Sequence, residues 1–256
     1  MNREFINIYM QEKNIPSGYL KAWYNFSSGE TASGVIYNQV NTVSDHYYDK
    51  DNYEGSLTSG TFASISIGGG DVITSNGVFD YTELVQIIGD VNADNWTVFL
   101  DFSGNQQNET GRNKILLSSM NDSGDASGFY IGLNGYNKPF ITYRSTDDAL
   151  YTSTFSKEAS NRSLFSFSFN SDGRSLNIAK HTPKEDSVES FVSYPIKNSN
   201  TWTIGGFKQI LNQSPQPQEI SNFDGKINHF MLFNPSLKGG TAEQFSDFLF
   251  IKDYEK

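Results

Sequence analysis

The fold is decided by residues 200–250, which read NTWTIGGF (200–207), a polar Pro-containing loop, and then NFDGKINHFMLFNPSLKGGTAEQF (222–245). Trp202 to Phe207 is predicted as a strand ending in paired glycines, and Gly225 to Asn234 as a second strand. In the second, Ile227, Phe230 and Leu232 would face a core. Their spacing breaks strict alternation, which predicts a β-bulge. Residues 235–240 turn the chain. Thr241 and Gln244 form a capping-box pair opening a short helix over 242–248.

Working back from this stretch, the same pattern recurs. Leu164 to Phe169 (LFSFSF) puts Phe165, Phe167 and Phe169 on one face and serines on the other. An Asp172-Gly173 turn then returns the chain as Leu176 to Lys180. Trp96 to Phe102 alternates Trp96, Val98, Leu100 and Phe102 against Thr97, Phe99 and Asp101. Further strands are predicted at Tyr19–Ser27, Phe62–Ile67, Ile115–Ser119, Gly128–Leu133, Phe140–Arg144 and Phe191–Tyr194. The sequences MNDSGDAS and NGYNK are strong turns between them. The total is about twelve or thirteen strands with no internal repeat. Residues 28–60 lack sustained periodicity.

These patterns resemble the concanavalin A-like (lectin/glucanase) sandwich domains of the laminin-G type. The residues carrying the likeness are AWYNFSSGE (22–30), GVFDYTELV (77–85), the Trp96 strand, the hairpin around Asp172-Gly173, WTIGGF (202–207) and GKINHFMLFN (225–234). The resemblance implies an all-β, concanavalin A-like jelly-roll sandwich of two antiparallel sheets over residues 19–256, with the short C-terminal helix. It specifies fold more than activity. The family often places an acidic pair where Asn228 and His229 stand, so the polar chemistry departs from the pattern where the core keeps it. Residues 1–18 are set apart as an N-terminal arm. Phe5, Ile8 and Tyr9 suit a turn or two of helix before Pro16, either attaching to a partner or packing on the chain's own domain.

Composition agrees with an all-β chain. Of 256 residues, 14% are aromatic, including 20 Phe and 14 Tyr, and there is no cysteine to staple loops or bind metal as thiolate. The net charge of −10 comes without a Lys/Arg cluster, which argues against nucleic acid or an anionic membrane as a partner. The N-terminus lacks the roughly 7–15-residue apolar core of a signal peptide.

Four kinds of chemistry bear on the sequence: a catalytic carboxylate pair, zinc, calcium and glycan binding. Sandwich glucanases carry Glu-x-Asp-x-x-Glu on one strand, which sets two carboxyls across a glycosidic bond; that spacing is absent here. His46, His181 and His229 lack zinc-ligand spacing, and His229 is expected as a buried strand residue. Calcium needs loop oxygens. Asp122 with Asp125 is the candidate pair, followed by Asp147 with Asp148 and by Asp45 with Asp49 and Asp51; solvated turn acids are the alternative. A glycan site would set aromatic faces beside hydroxyl-binding polar groups, and the candidates are Tyr47, Tyr48, Asn134, Tyr136, Asn137, Arg144 and Asp147.

An acidic, cysteine-free sandwich without a signal resembles the modules of tailed-phage virion proteins. The expectation is a non-enzymatic structural or adhesion protein of a phage particle, made in the host cytoplasm. Its partners would be other virion proteins, copies of itself and a cell-surface glycan. The alternative is a free, extracellular bacterial lectin.

Overall fold

The computed structural model describes residues 8, 10–25, 36–37, 54–57, 79–80, 94–103, 113–119, 128–160, 162–181, 187–197, 203–204, 220–223 and 226–237. The expected strand at 62–67 and the helix at 242–248 lie outside these residues.

The described chain forms two sheets. After a 3-10 turn at Ser17–Tyr19, the strands in order are β1 Leu20–Asn25, β2 Ile36–Tyr37, β3 Glu54–Leu57, β4 Phe79–Asp80, β5 Asn95–Ser103, β6 Asn113–Ser118, β7 Phe129–Leu133 and β8 Pro139–Arg144. They continue as β9 Leu150–Thr154, β10 Arg162–Asn170, β11 Ser175–His181, β12 Ser187–Val192, β13 Thr203–Ile204, β14 Ile220–Asn222 and β15 Lys226–Phe233. One sheet has the order β1-β15-β5-β10-β11-β12. The other runs β2-β3-β4-β13-β6-β7-β8-β9, with β14 added in parallel alongside β6. All other pairings are antiparallel, so the expected all-β sandwich is the architecture.

Period-2 alternation builds the core. Trp96, Val98, Leu100 and Phe102 of β5 and Phe165, Phe167 and Phe169 of β10 meet Phe129, Ile131 and Leu133 of β7 and Ile141 and Tyr143 of β8. Trp96 lies between Phe129 and Phe169, with ring centroids at 4.7 and 5.5 Å, so one indole bridges the two sheets. Phe230 and Leu232 join this core, and the β15 register shifts between Ile227 and His229, where the bulge is expected.

The reverse face of the six-stranded sheet is also buried over its middle. Phe99, Met231, Phe233 and Leu164 are covered there, together with Asp101 and His229. Arg162 grips Asp101 in a two-pronged ion pair, Nε to Oδ1 at 3.0 Å and Nη2 to Oδ2 at 2.5 Å. Toward β12 the cover ends: Val188, Ser190 and Val192 are exposed.

Three departures from the sequence reading stand out. β9 (LYTST) has no apolar alternation and sits at a sheet edge with the exposure pattern of a half-wetted strand. β12 begins at Ser187, earlier than the expected Phe191, because its inward residues include Ser187 and Glu189 rather than apolar ones. β2 and β3 fall in the stretch read as irregular; strands of two and four residues are too short to show a period.

Residues 10–12 are helical. Asn14 stops this helix in the left-handed region at φ 54°, with its N–H on the Gln11 carbonyl and the Ile15 N–H on the Met10 carbonyl. Met10 and Ile15 are both buried, which is the apolar contact that accompanies such a stop.

Candidate functional site

Strand β8 is flanked by two turns, and each holds part of the expected site. In the turn from β7, Asn134 Oδ1 accepts the N–H groups of Tyr136 and Lys138 at 2.9 and 3.0 Å. Asn137 takes the left-handed φ of 56°, which asparagine tolerates better than most residues. Tyr136 stands at the tip, 77% exposed. In the turn to β9, Asp147 Oδ1 accepts from the Ser145 hydroxyl and from the Ala149 N–H, and Asp148 is left-handed at φ 66°.

The six residues of β8 separate these turns by roughly 20 Å at about 3.3 Å per residue. The structure therefore splits the expected constellation, with Asn134, Tyr136 and Asn137 at one end and Arg144 and Asp147 at the other. Tyr47, Tyr48, Asp122 and Asp125 lie outside the described residues. Among the described residues no group of three or more His, Cys, Asp and Glu could hold a metal ion.

The Arg144 end is the richer one. The segment after β12 crosses it: the Thr146 N–H donates to the Pro195 carbonyl, the Lys197 N–H to the Arg144 carbonyl, and the Ile196 N–H to Asp94 Oδ1. Burial, with the nearby charge of Asp172, raises the Asp94 pKa despite that bond. Arg144 Nη1 donates to the Asp148 carbonyl, and the Asp148 carboxylate pairs with Lys197 Nζ at 2.8 Å.

Through the middle runs a column of rings. Phe169 meets Tyr143 edge-on at 5.2 Å, Tyr143 stacks on Tyr151 at 5.5 Å, and Tyr151 stacks on Tyr194 at 4.5 Å. Tyr143 is wholly buried, and its hydroxyl accepts the Tyr194 N–H at 3.1 Å. Burial pushes its pKa up to about 12, so it stays protonated. The Tyr151 pKa is also raised, by burial first and then by the Asp147 charge. The column reaches solvent at Tyr194, 38% exposed.

Asp147 titrates below its ordinary value of 3.8, held down first by the Ser145 hydroxyl and then by the Ala149 amide. A depressed carboxyl pKa stabilises the fold above the ordinary value and stops doing so as pH falls through the depressed one. An NMR titration should show the Ala149 amide shift moving with a midpoint under 3.8, and Ser145→Ala should bring that midpoint up toward 3.8.

One nucleophile-like pair occurs elsewhere among the described residues. Ser166 Oγ lies 2.8 Å from His181 Nε2, but the residues are only 2% and 1% exposed, so the pair is shut away from solvent. His229, at 3% exposure, is buried as expected.

No protein-family model and no curated protein sequence matches the chain. Solved structures do resemble it. The CBM40 of the Ruminococcus gnavus IT-sialidase superposes with a TM-score of 0.52 at 14% identity, over 68% of this chain and 94% of that one. The same module bound to α2,3-sialyllactose gives 0.51 at 13% identity over the same shares. The NanB sialidase of Streptococcus pneumoniae gives 0.51 at 15% identity, over 67% of this chain but 26% of its own, so the likeness spans about a quarter of that enzyme. At these identities the likeness shows the fold, a lectin-like β-sandwich.

Proposed function

We propose that this chain is a non-catalytic glycan-binding module, and that it reads sugar at the Arg144 end of the sandwich. The observation that carries the proposal is the Tyr143–Tyr151–Tyr194 column. The π face of an aromatic ring is electron-rich and attracts the weakly positive C–H faces of a sugar ring. A stacked ring has lost its freedom before the ligand arrives, which lowers the ordering cost of binding. Arg144, Asp147 and the Asp148–Lys197 pair supply the hydrogen-bonding groups that fix hydroxyl positions. The CBM40 module of similar fold, itself bound to sialyllactose, supports this reading.

Carriage on a phage particle is a separate part of the proposal. Capsid, portal or tail genes beside this one would uphold it, and their absence would favour a bacterial lectin.

The test is a glycan array probed with the intact chain, with and without calcium, followed by titration of the best ligand. Tyr194→Ala should weaken that ligand at least tenfold while the far-UV circular dichroism stays the same. Retention of no glycan at all, or equal affinity in the variant, would sink the proposal.

A further inference from the structure

At the same end of the molecule, on the outer face of the six-stranded sheet, lies a recess of about 320 Å³. Its floor is laid by alternation and register. Asn170 sits opposite Asn95 and Ser175, and Ser168 opposite Thr97 and Asn177, so Ser168, Asn170, Ser175 and Asn177 share the outward face. Residues 235–237 form the wall. They are pinned by the Ser236 N–H on Asn95 Oδ1 at 2.9 Å and by the Leu237 N–H on Thr97 Oγ1 at 2.8 Å.

The lining is unusual in one respect. Among the described residues it includes Asn95, Ser168, Asn170, Ser175, Asn177 and Ser236, and none of the described lining residues is ionisable. The amides are also oriented. Asn177 Oδ1 accepts from the Ser190 hydroxyl at 2.7 Å, and Asn170 Oδ1 from the Gly173 N–H at 2.8 Å. Each therefore offers its NH2 group, while Ser175 and Ser236 add hydroxyls that can donate or accept. An anion would find no cation among the described lining residues, and an apolar ligand would strand the amides and hydroxyls without partners. A neutral polyhydroxylated ring satisfies both conditions. The volume, at the small end of ligand sites, suits a single sugar unit.

We infer that this recess is a second subsite, which takes one uncharged sugar residue such as a hexose. The inference rests on the reading of this end as glycan-binding, but on different residues. The two places are neighbours: the Ser193 hydroxyl donates to the Asn170 carbonyl at 3.0 Å, and the next residue is Tyr194 of the platform.

Saturation-transfer NMR with glucose, galactose, mannose, N-acetylglucosamine and sialic acid tests the recess on the intact chain. At least one neutral sugar should bind. Asn177→Asp keeps the bond from Ser190 and replaces the NH2 donor by an acceptor of the same shape. It should weaken that sugar at least tenfold, whereas Tyr194→Ala should leave it bound here. Ser175→Tyr, which fills the recess, should have the same effect and decides the matter if Asn177→Asp alters the circular dichroism. Undiminished binding in both recess variants would overturn the subsite, and if Tyr194→Ala then abolished binding, the platform would stand alone. Binding of sialic acid only would overturn the subsite too. Binding of no neutral sugar would overturn the subsite, while the platform stands or falls on the glycan array.

Discussion

Trp96→Ala should lower the unfolding free energy by about 3–5 kcal/mol, the usual result of deleting a buried large aromatic side chain. The environment supports that full range. Trp96 is completely buried on a strand held between β15 and β10, and its ring is stacked from both sides. One partner, Phe129, belongs to the opposite sheet, so the cavity would open at the seam between the two layers. Ordinary domains have only about 5–15 kcal/mol in total, so the variant should be marginal at room temperature. Urea denaturation followed by tyrosine fluorescence measures the loss. Trp96→Phe, which keeps a ring in the stack, should lose much less. The consequence should extend to the surface, because Phe169 touches both Trp96 and Tyr143, the base of the tyrosine column.

The second large effect comes from adding an atom instead of removing many. Gly132 lies in β7, where a Cβ would run into the backbone carbonyl of Lys114 on β6 and come within 3.2 Å of Phe140 Cε1 on β8. A side-chain end could swing away, but a carbonyl in a sheet ladder cannot do so without parting the strands. The β6–β7 register already shifts between Ile115 and Leu117, so the ladder is interrupted next to this spot. Gly132→Ala should therefore cost about 3 kcal/mol, the upper part of the usual range for overpacking. Gly18 is the control, since a Cβ there meets nothing within 4 Å; Gly18→Ala should change stability little. Equal midpoints for the two variants in thermal melts would refute the argument.

How much of this was legible in the sequence follows from where each residue's partners lie. β10 could be read directly because Phe165, Phe167 and Phe169 announce their face through local spacing. The bulge in β15 was legible for the same reason. β9 was not, because Leu150, Thr152 and Thr154 point to water and only Tyr151 finds aromatic partners, on β8 and in the segment after β12. The site divides in the same way. Asn134 and Asp147 look like binding residues in a sequence, yet Oδ1 of each is engaged in shaping its own turn. The sequence singled out Arg144 and Asp147 as candidates but not Tyr151, Tyr194 and Lys197 at the same end, since no local pattern joins a strand after β8 to a segment after β12. The recess was invisible for a related reason: its serines and asparagines look like ordinary solvent-facing positions until residues 235–237 are seen to wall them in.

The pairing of β1 with β15 bears on how the chain is made. Leu20 lies opposite Phe233, partners about two hundred residues apart, and contacts of such long range slow folding. A ribosome delivers β5 and β10 long before β15 exists. Until then the β5 edge that will receive β15 carries open hydrogen-bonding groups flanked by Phe99 and Leu100, and such an edge invites other nascent chains. Synthesis that stalls before residue 226 should yield aggregate, and expression at low temperature should favour the completed sheet.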